Sequence, residues 1–333
     1  MPVRAGSLVA HPGLRGRRHP RRWGSRHFTL TFIRLGVCFY NLDPAEIVGA
    51  AVAAEDLGLH TLWLGEHVVL SPGYASVHPS RTSATEKSDP IVASDTVLVD
   101  PMVMAGAVLS STSQVHFGTG VYLGALRHPL LTARAAATAA RLSAGRFVLG
   151  LGAGWLEEEF ESLGVAFGQR GERLAEAIEI VGAALAGGTF SYRGRHWSFS
   201  DVQITDLPID VPVVIGGNSP AALTRAARLG DGWYNSGGLT GDDLERARGT
   251  IEAARSRFGR ERVPFRYWVR PPELDLSVSE RLAGQGFTDQ VVWGDKVWPD
   301  SPGLSPVDKM HIMRGRLDQL GLSALIGGTR ERS

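Results

Sequence analysis

Short runs of consecutive apolar residues alternate with longer amphipathic stretches along most of this chain. The apolar runs fall at Ile33–Phe39, Thr61–Leu64, Val115–Gly118, Arg146–Leu151, Val211–Ile215, Gly232–Tyr234, Pro264–Val269 and Gln290–Trp293. They lack the strict alternation of a strand with one wet face, which predicts parallel strands covered on both sides. Helical patterns fill the gaps. Asp43-Pro44 opens the first, with Asp as N-cap and Pro at the first helical position, and Gly58 closes it. Asp100-Pro101 repeats the device before Met102–Leu109. Pro129–Leu142, Arg170–Leu185, Ser219–Leu229, Gly241–Phe258 and Val307–Leu320 continue the series, with a weaker helix at Ser277–Ala283. Eight strand–helix units in succession predict an α/β fold, a (β/α)8 TIM barrel with insertions. An open doubly wound sheet is the alternative, and it rarely needs so many consecutive units.

Two segments interrupt the pattern. Ser71–Asp100 is long, polar and rich in Pro and Ser, the profile of an active-site loop. Thr189–Pro212 reads as a small hairpin around Tyr192-Arg-Gly-Arg-His196 joined to an extended stretch. The start of the chain differs in kind: seven arginines and no acid lie before His27. A basic extension over 1–32, disordered for want of apolar surface to bury, is expected ahead of one barrel domain over 33–326. A twin-arginine export signal is the rival for that segment, but Arg34 breaks the short apolar run that follows and no small-residue cleavage site appears.

Composition removes several function classes. A net charge of +1 gives no general attraction to nucleic acid, and no run reaches the length that spans a bilayer, so neither partner is expected. The single cysteine, Cys38, excludes an internal disulfide and suits a reducing, cytoplasmic setting. None of the ten histidines sits in an H-E-x-x-H pattern, so no metal site is expected.

The sharpest chemical signal is Pro212-Val-Val-Ile-Gly-Gly-Asn-Ser-Pro-Ala-Ala222, an apolar strand running through two glycines into a helix that begins at Pro220. Glycines let backbone approach an anion, and the N–H groups and dipole of a helix start can hold a phosphate. An ordinary strand–helix turn with a Ser cap has the same letters, so both readings stand on this motif alone. Gly150-Leu-Gly-Ala-Gly-Trp155 lacks the third glycine and distal acid of a dinucleotide fingerprint.

Five segments together resemble the luciferase-like monooxygenase superfamily, and within it the actinobacterial oxidoreductases that use coenzyme F420. They are Leu57–Val68 (LGLHTLWLGEHV), Gly118–Pro129 (GTGVYLGALRHP), Arg141–Phe160 (RLSAGRFVLGLGAGWLEEEF), Val211–Ser219 (VPVVIGGNS) and Ala226–Trp233 (AARLGDGW), in the family's order. The resemblance implies a TIM barrel with FMN or the deazaflavin F420 at the C-terminal ends of its strands. It implies an acid–His pair after the second strand, here Glu66-His67, with His67 as the acid/base or positioning group and Glu66 orienting it or hydrogen-bonding the cofactor ring. It also implies a non-prolyl cis peptide at Gly120-Val121 and cofactor contacts from Gly120, Val121, Gly152, Ala153, Gly154, Gly216, Gly217, Asn218, Ser219, Ala221 and Ala222.

Where sugar-phosphate dehydrogenases of the family carry a catalytic Glu, this chain has Trp155, which argues against a sugar-phosphate substrate. Tyr40, Arg127 and Trp155 are the substrate-side candidates, with Phe39, Tyr122, Trp233 and Trp293 as further candidate walls that are equally at home in a core. Glu157, Glu158 and Glu159 read as a solvated helix start favoured by the dipole. The expected function is an F420-dependent oxidoreductase that moves hydride between the deazaflavin and a small organic substrate, and the expected assembly is a homodimer. An FMN-dependent luciferase-like monooxygenase and a non-catalytic flavin- or deazaflavin-binding protein are the alternatives.

Overall fold

A computed structural model describes residues 7–10, 32–79, 92–93, 95–301 and 303–326. Its strands are β1 (Ser7–Ala10), β2 (Arg34–Phe39), β3 (Thr61–Leu64), β4 (His116–Thr119), β5 (Tyr122–Leu123), β6 (Phe147–Gly152), β7 (Phe190–Arg193), β8 (Ser198–Val202), β9 (Val213–Gly216), β10 (Gly232–Tyr234), β11 (Arg266–Val269) and β12 (Asp289–Trp293). Eight of them, β2, β3, β4, β6, β9, β10, β11 and β12, pair in parallel in chain order. The β12–β2 and β4–β6 pairings close the ring. The expected (β/α)8 barrel is therefore the fold, and the doubly wound sheet is excluded.

The expected strands and main helices fall within one to three residues of their observed ends. Asp43 accepts from the Ala45 N–H at the start of α1 (Pro44–Leu57), and Gly58 caps its end in the left-handed region with φ 84°. Asp100 accepts from the N–H groups of Met102 and Val103 at α2 (Pro101–Ser111). α3 (Pro129–Leu142) follows β5, and a short α4 (Glu157–Ser162) and then α5 (Arg170–Leu185) follow β6. The hairpin β7–β8 forms as expected and carries β1 antiparallel along its outer edge. That pairing corrects the expectation of disorder for Ser7–Ala10. The rest of the basic extension, and residues 80–91 and 94 of the long loop, lie outside the described residues.

Side chains divide by strand parity. One set of strand residues, with Ile47 in α1, Ala136 in α3 and Ile178 in α5, fills the layer between sheet and helices. The other set fills the barrel itself: Cys38, Trp63, Val148, Val214, Tyr234, Trp268 and Val291. Trp63 is central there, with ring centroids 4.5 Å from Tyr234 and 5.6 Å from Trp268. Burying such rings is the main apolar gain of the interior.

At the N-terminal end of the barrel, Asp289 receives both Arg34, at 2.5 Å, and Arg266. Burial alone would raise its pKa, but the two guanidiniums hold the carboxyl below its usual range. Beside this cluster His60 and His116 stack at 4.7 Å. Burial first, then the charge of His116 and nearby arginines, pushes His60 down to about 3, and burial with the charge of Arg266 and Arg146 pushes His116 down to about 4. Both imidazoles stay neutral in the folded chain, while in the unfolded chain they take up protons as pH falls below about 6.5. Their contribution to stability is therefore lost on acidification. At pH 5, roughly 1.5 units below the unfolded value, each costs roughly 2 kcal/mol at 1.36 kcal/mol per unit. Thermal melts of wild type and His116→Gln between pH 7.5 and 5 should show a shallower decline in the variant, and equal slopes would show that His116 does not titrate on unfolding.

Candidate functional site

The C-terminal ends of the eight strands form the mouth where barrel enzymes carry their chemistry. Strand parity brings Tyr40, Gly65, Gly120, Gly152, Gly216, Tyr234 and Arg270 to its floor. The peptide between Gly120 and Val121 is cis, as the family resemblance implied. The chain there directs the Val121 side chain over two neighbouring strand ends. A Cβ on Gly152 would lie 2.3 Å from Val121 Cγ2, and one on Gly216 would lie 2.5 Å from Val121 Cγ1. Those two glycines, expected to bring backbone close to a cofactor, also make room for Val121. Gly154 takes φ 82°, with Phe160 packed where a side chain would stand.

The adjacent residues Glu66 and His67 part company. Glu66 accepts from the Leu123 N–H at 2.8 Å and forms an ion pair with Arg127. Burial pushes Glu66 up to about 7 in spite of those partners. Arg127 lies 4.1 Å over the Tyr122 ring, and its Nη1 is buried without a partner. Arg127 is thus a half-buried part of the rim with its Nη1 turned inward. His67, 7% exposed, turns the other way, and its Nδ1 stands 3.2 Å from Glu159 Oε2. Glu66 does not orient the imidazole, which corrects the first of the two roles expected for it.

The same contact corrects the reading of a solvated helix start at Glu159, while Glu157 is exposed as that reading expected. Glu159 is fully buried, and its other oxygen accepts from the N–H groups of Val68 and Val69. Glu158 accepts from Ala75, at 2.7 Å, and from Ser76. These carboxylates pin the start of the long loop to α4. Helical periodicity could not reveal this, because α4 spans only six residues and the loop reaches back from far along the chain.

Around His67 stand the Tyr40 ring at 6.0 Å and the Trp155 ring at 5.5 Å, both edge-on. Trp155 is itself flanked by Tyr74 and His78 from the long loop, so that loop does border the mouth. The Tyr40 hydroxyl is buried without a partner, and burial, Glu159 and Tyr74 push its pKa well above the ordinary phenol range. The other candidate walls divide. Trp293 stacks 3.7 Å from the Arg270 guanidinium, Trp233 is wholly buried and donates to Gly217 O, and Phe39 packs on Trp298 behind the strands.

The strand–helix loop has the expected build at α6 (Pro220–Leu229). Gly217 takes φ 112°, open to glycine but costly for other residues, and Ser219 caps the helix by accepting from the Ala222 N–H at 3.3 Å. Ser219, Pro220 and Ala221 are exposed. Asn218 is a brace within the rim: it donates to Gly237 O at 2.9 Å and accepts from Ser236 N–H at 3.1 Å. Nearby, Arg225 on α6 is half-buried with no acidic partner among the described residues. Burial, then Arg228 and Arg170, bring its pKa down to about 10. Arg170 donates to Gly154 O, linking this cationic corner to the end of β6. Sequence reading missed Arg225, since only the fold shows that no acid meets it.

The luciferase-like monooxygenase family model matches residues 26–272. The chain belongs to that family. A Mycobacterium tuberculosis protein without assigned function is 32% identical over 211 residues, 63% of this chain and 72% of that protein. An F420-dependent glucose-6-phosphate dehydrogenase of Nakamurella multipartita is 30% identical over 200 residues, which is 59% of this chain and 53% of the relative. Among solved structures, a monooxygenase of Streptomyces bottropensis matches the fold with TM-score 0.60 at 17% identity, over 85% of this chain and 97% of its own. No helix among the described residues is long and apolar enough to cross a membrane.

The packing of Val121 against two glycines has a measurable consequence. Gly216→Ala should destabilise the protein by about 1–3 kcal/mol through overpacking. Val121→Ala in the same chain should recover most of that loss, because the two sites share one space. Urea denaturation of the single and double variants checks this, and additive losses would mean that Val121 does not fill the space beside Gly216.

Proposed function

We propose that this protein is an oxidoreductase that moves hydride between coenzyme F420 and a small organic substrate bound at the barrel mouth. The observation that carries the reading is His67: a buried imidazole at the end of β3, fixed through Nδ1, with Nε2 making no hydrogen bond among the described residues. Sequence similarity to F420-dependent enzymes supports the choice of cofactor.

The residues present fit such a group. Arg127 Nη1 and the Tyr40 hydroxyl are buried polar atoms at the rim that lack partners and can bond a polar ring edge. The exposed start of α6 and the cation of Arg225 suit the anionic tail that F420 and FMN share. When bound, the deazaflavin supplies a carbon that accepts or gives up hydride. The chain does the rest. Val121 and Tyr40 bound the space from below and beside it, Trp155 and Tyr74 shut water from His67, and His67 Nε2 holds or gives up the proton that accompanies hydride.

The similarity to a monooxygenase keeps an FMN reading as the second one. The two part on chemistry, because a deazaflavin lacks the ring nitrogen through which reduced flavin reacts with oxygen. Absorbance titration of the purified chain with F420 and with FMN should show tighter binding of F420, and FMN-only binding would reverse the assignment. His67→Ala should lower single-turnover hydride transfer about 10²–10⁴-fold with a modest change in cofactor affinity. Arg225→Met and Gly217→Val should instead weaken affinity roughly tenfold or more while the fold persists. Unchanged affinity in both would move the anionic tail elsewhere.

A further inference from the structure

Glu159 is a completely buried carboxylate that no arginine or lysine reaches among the described residues. Buried carboxylates are normally neutralised by a fixed cation or by protonation. Here the two oxygens have separate partners. Oε1 takes the Val68 and Val69 N–H groups, and Oε2 is left to His67 Nδ1 at 3.2 Å. A carboxylate beside Nδ1 needs a hydrogen there, so neutral His67 carries its proton on Nδ1 and keeps the lone pair on Nε2.

Neighbouring charges do not compete. From the end of β2 comes the Tyr40 ring, whose hydroxyl burial and Glu159 keep neutral. Tyr74 and His78 pack on Trp155. On α4, Glu158 is spent on the Ala75 and Ser76 N–H groups. On the strand end, Glu66 is turned to Arg127.

We propose that Glu159 is the positioning residue of the site: it commits His67 to the Nδ1–H tautomer, so that the resting enzyme presents a proton acceptor at Nε2. This rests on the reading of His67 as the acid/base group, and it narrows the substrate to one that arrives with an ionisable O–H on the reacting carbon. The C–H bond breaks with its electron pair, which leaves as hydride to the oxidised cofactor. The O–H proton passes to Nε2, and the oxygen's freed pair closes the C=O bond. The substrate loses two electrons and the cofactor gains them. The resulting imidazolium is stabilised by the Glu159 charge, and the reverse reaction starts from that protonated state.

The first test needs no cofactor. Long-range 1H–15N spectra of the histidine-labelled protein, with His67 assigned from a His67→Gln variant, should show the Nδ1–H tautomer. Glu159→Gln should shift His67 towards Nε2–H or a mixture, and Glu159→Asp should restore part of the wild-type pattern. With F420 bound, Glu159→Gln should slow hydride transfer from an alcohol about 10–100-fold at neutral pH. The acid limb of its pH profile should move to lower pH, with cofactor affinity near wild type. A wild-type Nε2–H tautomer, or a Glu159→Gln protein with unchanged tautomer and profile, would overturn the proposal. If Glu159→Gln does not fold, the wild-type spectrum still decides. If F420 does not bind at all, the cofactor reading fails while the tautomer result stands.

Discussion

Eight strands converge at the mouth of this barrel, and their inward side chains must share one small volume. That steric limit governs the rest of the site. Trp63, Tyr234 and Trp268 fill the interior beneath, so the layer above can hold few further large groups. Glycine at 65, 120, 152 and 216 is the solution on one side of the ring, with Tyr40 lying over Gly65 and Val121 over Gly152 and Gly216. Arg270, spread against Trp293 and Tyr234, fills the other side. Polar chemistry is then confined to the rim just outside this layer, where Glu66, His67, Arg127 and Glu159 are found.

The two carboxylates of the rim show how burial turns similar residues to different ends. Glu66 is held beside an arginine, yet desolvation still brings its titration near neutrality. Among the described residues Glu159 meets backbone donors and an imidazole, so its charge faces one ring nitrogen and the nearby Tyr40 hydroxyl. Neither arrangement contributes much net stability, since desolvation offsets most of the attraction. Both define direction: each fixes where one side chain of the rim points.

Much of the architecture was legible because its signals are local. Apolar runs, Asp-Pro helix starts and Gly helix ends carry their own physics within a few residues, and the barrel followed from counting them. The family motifs led to His67 and Val121 and to the loop at Gly217. What escaped is non-local. Whether Glu159 faces water depends on a loop some ninety positions away. Whether Gly152 admits a ligand or a valine depends on how the chain turns after β4. The isolation of Arg225 is a property of everything around it. Even Glu66 and His67, adjacent in the motif, act in opposite directions because successive residues leaving a strand turn to opposite sides.

Two asparagines give the rim an uneven character. Asn218 ties the loop after β9 to the loop after β10. Asn235, fully buried, accepts from Gly237 N–H within that second loop and from the Arg270 N–H at the end of β11. Three consecutive strand ends are thus riveted into one stiff arc, and the loop proposed to cradle an anion is part of it. The opposite arc, after β3, is built from one long connection held by carboxylates and ring contacts. That half can change shape without disturbing the riveted one, so the mouth combines a fixed jaw with an exchangeable one.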